Sequence, residues 1–143
     1  MHAIALIGAF TFVWFGMVLA ISFLEAPLKF RAPGVTIPIG LGIGRIVFRA
    51  LNIAEMLLAA GIVVTVAVGQ PGTTVTVLAA VAVVVLIGQL GAVRPALNRR
   101  TDRVLAAAEG VELPRSRAHF VYIATETVKV LVLLALGILT VAG

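Results

Sequence analysis

Two sets of polar side chains interrupt stretches that are otherwise apolar. Arg45, Arg49, Asn52 and Glu55 form the first, and His119, Tyr122, Glu126 and Lys129 the second. At about 100° per residue, Arg45, Arg49 and Asn52 fall on one narrow stripe of a helix, with Glu55 at its edge. The second set follows an i, i+3, i+7, i+10 spacing, so it too shares one helix face. Ionisable groups on a helix surrounded by hydrocarbon are costly, and they usually face a bundle interior or a wet cavity. Three kinds of chemistry suit these residue types. Glu55, Glu126, Lys129 and the arginines could neutralise one another and hold the helices in register. Arg45, Arg49 and Lys129 could contact the anionic part of an amphiphilic ligand. Glu55, Glu126 and His119 could pass a proton.

Other chemistry lacks its residues. No cysteine is present, which excludes disulfides, thiolate metal sites and a thiol nucleophile. Glu25, Glu55, His119 and Glu126 do not make the paired Glu-x-x-His pattern of a di-metal helical bundle, so no metal is expected. The sequence shows no serine–histidine–carboxylate set, Walker loop or dinucleotide fingerprint. No catalytic residue is assigned.

The elements that must position these residues follow from composition. Of 143 residues 62% are hydrophobic and only 12% charged, against about 25% in soluble domains. All 11 Lys and Arg and all 6 Asp and Glu lie in two windows, 25–55 and 94–129. The net charge of +5 is explained by basic residues beside membrane spans, so no nucleic-acid partner is expected. The fold class expected is all-α, a polytopic membrane protein with four transmembrane helices in one bundle domain. The spans fall at about 3–24, 38–68, 73–93 and 117–141. The first lacks a basic leader or cleavage signal and reads as a retained helix.

Local signals set the helix ends. Ala26-Pro27 should stop the first helix, because the residue before proline is pushed out of helical geometry. Pro33-Gly34 marks a turn. Thr36 and Pro38 make a helix start, followed by small-residue spacing at Gly40, Gly42 and Gly44. The uncharged 69–74 turn joins the second and third spans. Residues 94–116 read as a short amphipathic surface helix, with Leu97, Thr101, Val104, Leu105 and Ala108 on one face and Gly110 ending it. Pro114 and Ser116 then set up the last span. Trp14, Phe10, Phe12 and Phe15 sit mid-span as lipid-facing or packing residues. No internal repeat is evident.

Orientation follows from the basic connections. Both lie on one side, which the positive-inside rule makes cytoplasmic in a bacterial inner membrane, with both termini outside. Glu55, Glu126 and Lys129 then lie in the cytoplasmic half, with Glu25 and Arg94 at the rim. The outer half offers almost nothing polar beyond Thr11, Thr65 and Thr140. A one-sided polar chamber with an apolar plug behind it is expected.

Residues 49–55, Arg-Ala-Leu-Asn-Ile-Ala-Glu, resemble the second-helix motif of the membrane-associated eicosanoid and glutathione metabolism (MAPEG) superfamily. Asn52 and Glu55 keep the mutual spacing of that motif, while Arg49 stands one residue closer to Asn52. The resemblance implies a trimer with glutathione as cofactor, held by Arg45, Arg49, Asn52 and Glu55, in a transferase or isomerase acting on a lipophilic substrate. Read from the residues alone, the cluster of Arg45, Arg49, Asn52, Glu55, His119, Tyr122, Glu126 and Lys129 binds an anionic or amphiphilic ligand. The same residues allow an accessory subunit anchored in a larger membrane complex, or a small proton-coupled transporter. Partners expected are the lipid bilayer and either copies of the chain or a complex, with the apolar 75–86 stretch packing on partner helices.

Overall fold

The computed structural model describes residues 2–107 and 117–143. They form four long helices: α1 His2–Arg31, α2 Ile37–Gly69, α3 Thr73–Ala106 and α4 Arg117–Ala142. No strand occurs among the described residues. Each helix is long and apolar enough to cross a membrane, which is the make-up of a multi-pass membrane protein.

The ends of α2 follow the local signals. Thr36 is extended, and its hydroxyl accepts the Ile39 N–H at 3.4 Å, with proline in the first turn. At the far end Gln70 turns left-handed with φ 43° and donates its N–H to the Val66 carbonyl at 2.9 Å. That is an αL cap, filled here by a residue other than glycine. Helix α3 then starts at Thr73, as the sequence indicates.

Two prolines lie inside long helices, one of them where a helix end is expected. Ala26-Pro27 does not end α1, which continues to Arg31. A π-helical segment, Leu19–Glu25, precedes it, and the Ala26 N–H bonds to the Ile21 carbonyl, one residue further back than in an α-helix. The wider turn makes room for the pyrrolidine ring where a regular helix would clash. The device recurs in α3. Segment Gln89–Val93 is π-helical, and the Arg94 N–H reaches back to the Gln89 carbonyl just before Pro95. Residues Arg94–Ala106 therefore prolong α3 and are not a separate helix laid on a surface. Thr101 and Val104 are buried and Arg99, Asp102 and Arg103 exposed, as the amphipathic pattern requires, but Leu105 is exposed. The expectations at Ala108, Gly110, Pro114 and Ser116 lie outside the described residues.

Helix α1 packs against α2 and α4, and α3 packs mainly against α4. Their shared core contains Ile7, Trp14, Val18, Ala59, Ile62, Ala82, Leu86, Leu133 and Leu136. Ala79, Ala82 and Leu86 are buried within the chain, so only part of the 75–86 stretch faces outward. The outward faces carry Ile46, Leu57, Val68 and Val84, side chains that hydrocarbon solvates better than water.

A repeat that residue identities conceal appears in position. The shift that lays Pro27 on Pro95 also lays buried Thr11, Trp14 and Val18 on buried Ala79, Ala82 and Leu86. The shift that lays Phe48 on Tyr122 also lays Glu55, Ala59 and Ile62 on Lys129, Leu133 and Leu136. The two helical hairpins thus present matching faces made of different side chains.

Close approach of α1 and α4 depends on glycine. A Cβ at Gly137 would lie 2.7 Å from Phe12 Cζ, whereas one at Gly16 would meet nothing within 4 Å. Gly137→Ala should lower stability in denaturing detergent by about 1–3 kcal/mol through overpacking. Gly16→Ala should be neutral or stabilise by up to about 1 kcal/mol. Equal effects at the two sites would contradict this packing.

Candidate functional site

All four helices deliver a polar group to one point. Lys129 on α4 is fully buried, about 18 Å along the helix from Arg117 at 1.5 Å per residue. Its Nζ donates to Glu55 Oε1 on α2 and to Gln89 Oε1 on α3, the latter at 2.7 Å. It also lies 2.6 Å from Glu126 Oε1 on its own helix. Two of the ammonium's three donors are thereby hydrogen-bonded, and Glu126 Oε1 is an ion-pair contact without a hydrogen bond among the described residues. Trp14 on α1 donates its indole N–H to Glu55 Oε1 at 2.9 Å. Gln89 is held in turn by its amide donating to Thr125 Oγ1 at 2.9 Å.

The second carboxylate, Glu126, is stabilised from the other side. Its Oε2 accepts from the Tyr122 hydroxyl and, at 2.9 Å, from the Ser22 hydroxyl of α1. Ser22 Oγ and Tyr122 Oη lie 2.7 Å apart, so either hydroxyl can donate to the other in place of the carboxylate. Glu55, Glu126 and Lys129 carry a formal charge of −1 when all are ionised, surrounded by neutral donors. Behind them the interior is apolar. Thr11 is buried there with no hydrogen-bond partner for its hydroxyl, and Thr65 and Thr140 bond to carbonyls of their own helices.

Above Glu126 a cavity of about 450 Å³ opens toward the end of the structure where the charges lie. Ser22, Tyr122 and Glu126 form its floor, and Phe23, Phe30, Phe48 and Ile123 are among its apolar walls. Lys29, Arg45, Arg94, Arg100 and His119 also line it, against Glu126 as the acidic residue. Lys29 pairs with Glu25 at 3.6 Å, and Arg45 pairs with Asp102 at 2.6 Å and donates to the Asn98 carbonyl at 3.1 Å. The Nε of Arg45 is buried without a partner among the described residues. Arg94 is held differently. Its guanidinium sits in the corner made by two rings, 4.0 Å from the Phe48 centroid and 4.4 Å from that of Tyr122. The rings themselves meet edge to face at 5.8 Å. No carboxylate among the described residues pairs with Arg94.

The structure brings together most of the residues singled out in the sequence. Glu55, Tyr122, Glu126 and Lys129 form the buried network, and Arg45 and His119 line the cavity above it. Arg94 belongs to the cavity wall, not merely to its rim. Arg49 and Asn52 do not face the interior. They lie in a shallower groove on the outward side of α2, with Ile53 and Met56. Sequence analysis did not count Trp14, Ser22, Phe48 or Gln89 among the site residues. Trp14 is the one tryptophan, and its indole N–H needs an acceptor wherever it is buried. Gln89 is the one side-chain amide in α3 before the basic extension. Both were available as signals. No group of three His, Asp or Glu side chains converges among the described residues, so the donors at the centre suit an ion-pair network.

Lys129→Met should destabilise the fold by about 3–5 kcal/mol, because two buried carboxylates lose their shared cation. Combining it with Glu55→Gln should cost less than the two single changes together, with a coupling of about 1–3 kcal/mol in detergent unfolding. Strict additivity would show that the network is not formed.

Comparison with protein-family models, with curated proteins and with solved structures found no match to this chain.

Proposed function

We propose that this chain is an integral membrane protein that binds an anionic amphiphile in the cavity above the Glu126 floor. Arg94 carries the reading. A guanidinium set against two aromatic rings, with no carboxylate among the described residues paired to it, has hydrogen-bond donors to offer a planar or tetrahedral anion. The apolar walls of Phe23, Phe30 and Ile123 supply the complement to an alkyl chain. The volume lies within the about 300–1,000 Å³ range of small-molecule sites. With the basic connections on the cytoplasmic side of a bacterial inner membrane, the cavity faces the cytoplasm and both termini lie outside.

Dodecyl phosphate is a suitable probe, followed by fluorine NMR of its ω-trifluoro derivative in nanodiscs of neutral lipid. Arg94→Gln should weaken binding by at least about tenfold while the helices remain folded, the loss of one charge-assisted contact of about 1.5–3 kcal/mol. Dodecyl trimethylammonium should not compete. Equal binding of the cation, or unchanged affinity in Arg94→Gln, would reject the reading. Displacement of the probe by glutathione would instead favour the glutathione-dependent transferase or isomerase chemistry implied by the likeness over residues 49–55.

The position of Glu126 supports a second reading, a small proton-coupled transporter. Glu126 lines the cavity and is ion-paired to a fully buried lysine, so it joins the open side to the sealed interior. That reading predicts proton flux into liposomes that Glu126→Gln abolishes. Absence of flux in the unaltered protein would leave binding alone.

A further inference from the structure

The outward groove on α2 shares a wall with the cavity. Arg45, Phe48, Arg94 and Asn98 line both. On the cavity side this wall meets Tyr122 and Arg100, and on the groove side Arg49 and Asn52. The groove, of about 230 Å³, changes character along its length. Its basic end holds Arg45, Arg49 and Arg94, and its other end Ile53, Met56 and Leu90. From Arg49 to Met56 is about 10 Å along the helix at 1.5 Å per residue. Ile53 and Met56 are about half exposed, at 51% and 46%, on the face of α2 that lipid would cover. A headgroup at the basic end would leave its alkyl chain lying along them, in the direction of the membrane interior. The side chains of Phe48 and Arg94, residues that line both spaces, are the ones that would have to move to join them.

We infer that the groove is a lateral entrance, through which an anionic amphiphile of the surrounding bilayer passes from the Arg49–Asn52 face to the cavity by way of Arg94. The inference rests on the cavity reading. Arg49 is the outer headgroup contact, Arg94 the inner one, and the Phe48 ring the partition between them. A phosphate handed from one guanidinium to the next never has to shed its counter-charge. Arg49 and Arg94, which unlike Arg45 have no ion pair among the described residues, are thereby given one task.

Two probes separate the routes. ω-Trifluoro butyl phosphate dissolves in water and reaches the cavity from its open end; ω-trifluoro hexadecyl phosphate resides in the bilayer. Their exchange with the protein in neutral nanodiscs is read by fluorine NMR. Asn52→Trp fills the groove without touching the cavity. It should slow exchange of the long probe by about tenfold or more, leaving the short probe and both equilibrium affinities unchanged within about twofold. Arg49→Gln should slow the long probe in the same sense. Unchanged long-probe exchange in Asn52→Trp would overturn the lateral entrance while leaving the cavity reading intact. Lost affinity in Asn52→Trp would overturn it also, by making the groove the binding site itself. Failure of the unaltered protein to bind either probe would reject the cavity reading and the entrance with it.

Discussion

An ammonium in an apolar interior needs an anion and several acceptors, and the fold is arranged around meeting that need for Lys129. Glu55 comes from α2, Gln89 from α3 and Glu126 from α4, while Trp14 of α1 steadies Glu55. Every helix is committed to the same point, so their relative register is fixed by polar contacts as well as by packing. The apolar core below it, around Ile62, Leu133 and Leu136, is permissive by comparison. Hydrocarbon surfaces can slide past each other at small cost, but a buried charge that loses its partner cannot be resolvated nearby.

The same arrangement accounts for the cavity. Satisfying Lys129 uses Glu55 and Glu126, and Glu126 also takes the hydroxyls of Ser22 and Tyr122. Among the described residues, Lys29 and Arg45 pair with Glu25 and Asp102, whereas Arg94 meets two aromatic rings and no carboxylate. A cation placed against aromatic rings keeps hydrogen-bond donors available. That guanidinium beside an apolar-walled space is the physical basis for proposing an anionic amphiphile there.

Much of this was legible in the sequence because it depends on local pattern. The charge-free stretches mark the four long helices, Thr36 marks a cap, and the spacing of His119, Tyr122, Glu126 and Lys129 marks one face. What escaped depends on distant or geometric relations. Trp14 meets Glu55 across 41 positions, and no periodicity announces such a partner. Pro27 and Pro95 look like helix ends by the rule for the preceding residue, but a π turn before each one absorbs the ring. The repeat escaped because it conserves position and not residue type: Phe48 faces Tyr122, and Glu55 faces Lys129. Arg49 and Asn52 sit one step round the helix from Glu55, enough to turn them from the interior to the outward groove.

Native mass spectrometry of the protein, extracted gently in a neutral detergent, tests the central claim most directly. The account predicts a non-covalent adduct whose released component is an amphiphile with an anionic headgroup, lost when Arg94 is changed to glutamine. A bare chain under every mild extraction, or an adduct of neutral lipid alone that survives that change, would contradict it.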